Sequence, residues 1–504
     1  MTAWRALGAS IAVIIAAAAR SGRWEYHRRV NSPWPQREPT ARERGSFADA
    51  VPRSFWLDRL AGREPHPPLE GDGECELCIV GGGFTGLWAA LLAKQREPLR
   101  DVVVLESARC GEGASGRNGG FLNYSLTHGL ANGISRFPGE IAELERLGME
   151  NYDGLRADLE RYGIECDFTA SGEMAVALSD HELEHLDHEL ELFRAHGHDA
   201  RLLGREEVQA EVASPLYRGG LWQQSGAALI DPGRLADGLR RAALAAGVRI
   251  HEHSAVRSLR REGPAIELVT DAAVLRAERV LLATSAYRPL VAQVRLLVAP
   301  VYDYVLMSEP IDEARWAQLG WEHMQGVADM GNLFHYYRPT ADRRILWGGY
   351  DAVYRFGGDV GPHRDEDPRT FGRLAQHFFT TFPQLEGVRF SHRWGGAIDT
   401  CSRFSLFVGT AHGGRVSYAA GYTGLGVGAT RFGARAALEV LYGERSGIER
   451  LQMLRRLPLP FPPEPLRSAV IQLTRNRLEA ADRNGGRRGL WLRALDAAGL
   501  GFDS

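Results

Sequence analysis

Residues 79–87, "IVGGGFTGL", restrict the fold more than any other stretch of the chain. An apolar run ends in three glycines and continues as an apolar helix, "TGLWAALLAKQRE", which leads to a second apolar run, "DVVVLES". Strand, glycine turn, helix and strand make one βαβ unit. Gly81, Gly83 and Gly86 meet the pattern G-x-G-x-x-G at the mouth of that helix. The first glycine permits the tight turn, the second lets backbone approach a pyrophosphate, and the third lets the helix pack closely on the strand. Backbone N–H groups and the helix dipole then face phosphate. Twenty residues beyond Gly86, Glu106 ends the second strand, placed to bond both hydroxyls of a ribose. These residues predict dinucleotide binding without choosing between nicotinamide and flavin.

The following loop, "SARCGEGASGRNGGF" at 107–121, favours the longer flavin cofactor. Its small residues let the chain run alongside an extended ligand. Ser115 and the amides of Asn118, Gly119 and Gly120 are candidate partners for phosphate, ribityl chain or ring edge, with a glycine-closed surface loop as the structural alternative.

The formal net charge of −3 and the lack of long charged runs in the central region argue against nucleic-acid binding and for a small-molecule ligand. Five cysteines, Cys75, Cys78, Cys110, Cys166 and Cys401, are too few for a disulfide framework, so a reducing compartment fits best. Cys75 and Cys78 form a C-x-x-C on a strand, with no second ligand pair, so no metal site is expected. At the N-terminus an apolar run, residues 6–19, is shorter than the ~20 residues a spanning helix needs. A cytoplasmic catalytic body is the expectation; weak membrane contact or export through that run is the alternative.

The chain reads as segments. Residues 1–73 form an extension, apolar at 6–19 and then rich in proline and charge, and the compact fold is expected to begin near Glu74. Residues 74–135, 206–298 and 394–442 have dinucleotide-domain texture; 136–205 are largely helical. Residues 299–393, with "VYDYVLMSEP" and "NLFHYYRPTADRRILWGGY", alternate as antiparallel strands. Residues 443–504 are arginine-rich and helical, with a surface or subunit-contact role as the default expectation.

"IVGGGFTGLWAA", "VVVLES", "GASGRNGG", "VLLATSAY", "RWGGAID" and "GYTGLGVGAT" occur in that order within residues 75–442. Together they resemble the flavin-dependent oxidases typified by D-amino acid, glycine and sarcosine oxidases. The wording of "GASGRNGG" and "GYTGLGVG" is nearest the gamma-glutamylputrescine oxidase-like branch, whose members oxidise amines. The resemblance implies an α/β fold: a glutathione-reductase-type, Rossmann-like FAD domain interleaved with a substrate domain carrying a mixed, largely antiparallel sheet.

It places Gly81, Gly83, Phe84, Thr85 and Gly86 at the pyrophosphate, and Glu106 with Ser107 at the adenosine ribose. Ser115, Arg117, Asn118, Gly119 and Gly120 run along the flavin, Val256 reaches the adenine and Thr284 ends a flavin-proximal strand. Gly424, Leu425 and Gly426 present amides to the flavin pyrimidine edge at a helix start, whose dipole stabilises negative charge on the reduced ring.

One position departs from the family. Where amino-acid oxidases carry a carboxylate-binding arginine, four residues after Trp394, this chain has Ile398. Either the substrate is an amine lacking an α-carboxylate, or another cation such as Arg338, Arg393 or Arg403 replaces the fork. Flavin oxidation of an amine requires orientation and an acceptor for the ammonium proton. Candidates are His335, Tyr337 and Tyr304, with Trp394 and Tyr422 as cage walls and Asp399 as a partner for a distal ammonium. Cys401 is offset from the family's covalent linkage position, so noncovalent FAD is expected. Three readings follow: an amine oxidase using oxygen, a dehydrogenase using a quinone or other carrier, and a flavin-binding protein without catalysis.

Overall fold

The computed structural model describes residues 32–501. Two large sheets are built from interleaved segments. The first has the order Phe407–Ala411, Val416–Ala420, Val274–Leu282, Gly73–Val80, Val102–Leu105, Arg249–His251, with Ser258–Glu262 and Ala265–Val269 added antiparallel beside Val274–Leu282. Its central pairs are parallel. Parallel strands covered on both faces need continuous apolar sequence, and all four residues of Val102–Leu105 are buried. Helices Phe84–Arg96 and Gly426–Tyr442 cover this sheet through Leu87, Trp88, Leu91, Ala434 and Leu438.

The second sheet has nine strands and is mainly antiparallel, with one parallel pair between Glu173–Ala177 and Gly326–Asp329. It is the mixed sheet expected of a substrate domain. Helix Pro368–Thr381 packs over one face through Phe371, Leu374 and Phe378, meeting Tyr302, Tyr337 and Trp347 from the strands.

Three segment boundaries differ from the sequence reading. Strand Gly219–Gln223 pairs with Glu173–Ala177 in the second sheet, not in the dinucleotide domain expected for 206–298. Strand Phe390–Thr400 pairs with Ala299–Ser308 along its length, so residues 394–400 also belong to the second sheet. The lead-in is not merely a linker either. Trp34, Phe47, Phe55 and Trp56 are buried, and the compact fold begins well before Glu74. Aromatic side chains scattered among prolines carry no periodicity, so their burial left no sequence signal.

The alternative of membrane association is corrected only as to a spanning helix in the described chain. Among the described residues no helix is long and apolar enough to cross a membrane, and the run at 6–19 on which it rested lies outside them.

Candidate active site

The strand ends of both sheets open onto one cavity of about 1700 Å³. Small-molecule pockets are commonly ~300–1000 Å³, so there is room for a dinucleotide and a second molecule. At its dinucleotide end the glycine turn is sterically dictated. Gly81 has φ +110°, and a Cβ there would lie 2.5 Å from the Ala283 carbonyl oxygen. A Cβ at Gly86 would overlap the Gly81 carbonyl. Gly86 therefore seats the helix and does not line the cavity, whereas Gly81, Gly83, Phe84 and Thr85 do.

Glu106 also lines it, fixed by three donors: Gly82 N–H at 2.6 Å, Ala108 N–H at 2.8 Å and the Ser107 hydroxyl at 3.0 Å. A carboxylate offers about four lone-pair sites, so Glu106 retains capacity for a ribose hydroxyl while its rotamer is locked. The Ser115 hydroxyl accepts from Phe84 N–H at 2.9 Å, tying the long loop to the first turn of the helix. Asn118 uses its amide to shape this loop, donating to Ala114 and Ser115 carbonyls and accepting from Gly120 N–H at 2.8 Å. The lead-in clamps the same loop from behind: Ser54 donates to the Gly116 carbonyl at 2.6 Å and the Trp56 indole to the Asn118 carbonyl at 3.0 Å.

Ser107, Ser115, Arg117, Asn118, Gly119, Val256 and Thr284 all line the cavity. Gly120 does not: it has φ +77° and a Cβ there would overlap the Ile230 carbonyl, so it is a turn residue. The Arg117 guanidinium is committed to Asp365 and the Glu112 and Gly395 carbonyls. On the far side Gly424, Leu425 and Gly426 open helix Gly426–Tyr442 at the cavity wall, with Gly424 at φ +94°. This 17-residue helix points its positive end inward.

Most of the expected catalytic aromatics are elsewhere. His335 is fully buried on the opposite face of its strand, with Nδ1 3.0 Å from Asp329 Oδ2 and Nε2 3.1 Å from His377 Nδ1. Tyr337 points the same way and bonds the Tyr217 hydroxyl at 2.6 Å. Tyr304 donates to the Arg364 carbonyl at 2.8 Å and packs on Phe371. Trp394 donates to the Arg117 carbonyl at 2.8 Å from the core beside Trp56. None of these four lines the cavity. Tyr422 does, accepting from the Thr85 hydroxyl at 2.9 Å. Asp399 lines it too, but its Oδ2 accepts from Gly421 N–H at 2.7 Å, which makes it a turn anchor rather than an ammonium partner; burial raises its pKa to about 6.

Strand alternation brings in a different set. Tyr336, between His335 and Tyr337, faces the cavity and donates its hydroxyl to Asp303. Asp303 also accepts from Tyr304 N–H at 2.8 Å and Gly349 N–H at 3.1 Å, and burial raises its pKa to about 6. A Cβ at Gly119 would meet the Tyr336 ring at 2.7 Å, so this phenol lies directly against the flavin loop. Phe121, Asn123, Tyr124 and Glu173 also line the cavity, as does His128, whose pKa burial lowers to about 4. The phase of alternation, 336 against 335 and 337, was the available sequence signal, but nothing local identified the cavity face.

Ile398 lines the cavity. The three substitute arginines do not: Arg338 donates to the Ile230 carbonyl at 2.6 Å, Arg393 pairs with Glu366 at 3.1 Å, and Arg403 donates to the Leu406 carbonyl at 2.6 Å. Among the described residues no cluster of three or more histidine, cysteine or acidic side chains is arranged to hold a metal ion. All five cysteines are buried free thiols, including Cys75 and Cys78.

A glycine turn at one end, a ribose-type acid beside it and a helix start at the other end define a dinucleotide-dependent oxidoreductase. The model of the family DAO, FAD dependent oxidoreductase, matches residues 76–439, and the chain belongs to that family. It is 34% identical over 414 residues to the gamma-glutamylputrescine oxidoreductase of Escherichia coli K12, covering 79% of this chain and 90% of the relative. It is 29% identical over 424 residues to a probable oxidoreductase OrdL of Haemophilus influenzae, covering 81% and 91%. Glycine oxidase from Geobacillus kaustophilus shares the fold with a TM-score of 0.63 at 20% identity, covering 76% of this chain and 99% of that one. The protein is thus an FAD-dependent oxidoreductase acting on amine or amino-acid substrates. The residues present fit FAD: glycines where side chains would collide, a locked acid at the ribose end, and the open helix start at the opposite end.

Proposed function

We propose that the enzyme oxidises the C–N bond of a primary or secondary amine lacking an α-carboxylate, with noncovalent FAD and oxygen as final acceptor. The observation that carries this reading is Ile398 on the cavity wall: Arg338, Arg393 and Arg403 are engaged elsewhere, and of the arginines that line the cavity Arg117, Arg257, Arg475 and Arg488 pair with Asp365, Asp271, Asp351 and Asp496, while Arg288 is exposed. The name of the Escherichia coli relative, a gamma-glutamylputrescine oxidoreductase, agrees with an amine donor. FAD, when bound, supplies the acceptor for the hydride and hands two electrons to oxygen, giving hydrogen peroxide. The protein's part is to hold the neutral amine with its α-hydrogen directed inward and to exclude competing water. In this reading Asp303, through Tyr336, receives the proton released by the bound ammonium, and the imine that leaves is hydrolysed by water. Cys401 supports noncovalent attachment, because its buried thiol donates to the Ser405 carbonyl at 3.2 Å.

The test is an anaerobic amine and amino-acid panel on purified holoenzyme, followed by flavin absorbance, with peroxide measured after air is admitted. Bleaching by amines and peroxide on reoxidation support the proposal. Bleaching reversed only by a quinone would reassign the acceptor, preferential bleaching by α-amino acids would overturn the substrate class, and yellow protein left in an acid precipitate would overturn noncovalent binding.

A further inference from the structure

The family match ends at residue 439, yet the chain continues across the cavity. For residues 443–504 the default expectation is the surface or a subunit contact; in the described part, to 501, helices Leu466–Arg483 and Leu490–Ala497 instead form a hairpin on the cavity, with a small core of Leu478, Ala481, Trp491 and Leu492. The segment is tied to several parts of the rim. Ser402 donates to the Leu459 carbonyl at 2.7 Å, and Phe461 N–H to the Leu296 carbonyl at 2.6 Å. Glu464 accepts from the Tyr354 hydroxyl at 2.8 Å and Gly357 N–H at 3.0 Å. Asp482 accepts from Asn332 N–H at 3.0 Å and Leu333 N–H at 3.1 Å, and Arg475 pairs with Asp351.

These bonds employ Glu464, Arg475 and Asp482 as anchors, and beside Thr474, Arg475 and Arg488, the last paired with Asp496 at 2.8 Å, the surface left for the cavity is apolar. Leu466, Val470 and Leu473 recur at helical spacing, and with Trp491 and Leu495 they line it. Val470, Leu473 and Leu495 are half-buried, packed on one side against the hairpin's small core and bordering the cavity on the other. Leu192, Phe193, Met330 and Leu333 continue the apolar lining on the substrate-domain side. The volume exceeds what a dinucleotide site alone requires, and an apolar wall of this kind rewards a ligand that removes it from water.

We propose that the C-terminal hairpin is the wall of a tail subsite, and that the substrate is an amine carrying a linear or branched apolar chain lying against Val470, Leu473 and Leu495. The assignment rests on the amine-oxidation reading for its head group only. Linear primary amines from propylamine to octylamine, titrated calorimetrically into the FAD-loaded enzyme, test it. Burial of each methylene predicts a dissociation constant falling about fourfold per added carbon. Leu473→Asp is expected to reduce the octylamine-to-propylamine affinity ratio at least tenfold, and Leu473→Ala to reduce it less. A wild-type series independent of chain length overturns the subsite, as does an unchanged ratio in folded, FAD-retaining Leu473→Asp. If that variant does not fold, the wild-type series and Leu473→Ala decide. Affinity that climbs with chain length without any flavin reduction would uphold the subsite and sink the amine-oxidation reading instead.

Discussion

Tyr336 donates its phenolic hydrogen to Asp303 inside the cavity, directly against the flavin loop at Gly119. The carboxyl is buried and its pKa stands at about 6, above the ordinary 3.8. A raised carboxyl pKa means that the folded protein binds this proton more tightly than the unfolded chain. Its stabilising contribution is complete below about pH 3.8 and is lost as pH rises through 6. The ionised form is the one that can take a proton, so activity should run opposite to that stability. We expect kcat/KM for an amine to fall on the acid side with an inflection near pH 6, and Asp303→Asn to remove that inflection while lowering kcat/KM about tenfold or more. A pH–rate profile of both proteins checks this; the same inflection in Asp303→Asn would assign it to another group.

Gly86→Ala should abolish FAD retention even though Gly86 does not line the cavity. Its Cβ would overlap the Gly81 carbonyl and push the helix from the strand. Overpacking of this kind costs about 1–3 kcal/mol, and here the displacement falls on the phosphate-binding turn. Flavin content after gel filtration and the melting temperature measure the two effects.

Ile398→Arg should restore a carboxylate fork on the cavity wall. A bidentate guanidinium pair adds about 1.5–3 kcal/mol when water is excluded. The ratio of kcat/KM for an α-amino acid to that for the matching amine is expected to rise at least tenfold. Steady-state comparison of the two substrates decides, and no change in the ratio would mean that residue 398 does not face the reacting end.

Tyr337→Phe should cost stability but little activity. It leaves the Tyr217 hydroxyl, now bonded at 2.6 Å, without its buried partner, a loss of about 1–3 kcal/mol. Denaturant unfolding should show the deficit, with kcat within about twofold of wild type. A kcat loss of a hundredfold would return Tyr337 to the chemistry.

The cofactor end of this protein was legible because dinucleotide binding is local. Phosphates are held by backbone amides at fixed spacing, so Gly81, Gly83 and Glu106 announce themselves by position alone. The helix start at Gly424–Gly426 was legible through the resemblance to the flavin-dependent oxidases.

The sequence by itself therefore determined the dinucleotide-binding end, and its resemblance to the flavin-dependent oxidases added the fold class, FAD and the missing arginine at Ile398. Only the tertiary structure decided which residues meet the substrate. His335, Tyr336 and Tyr337 are consecutive on a strand whose two faces are both covered, one by helix Pro368–Thr381 and the other by the cavity wall. Alternation says that Tyr336 opposes its neighbours, but with aromatic residues on both sides it does not say which side is core. The C-terminal hairpin was hidden for a related reason. Its apolar spacing reads as an ordinary amphipathic helix, and what that face covers depends on contacts at Asn332, Asp351 and Leu296, more than a hundred residues away in the chain.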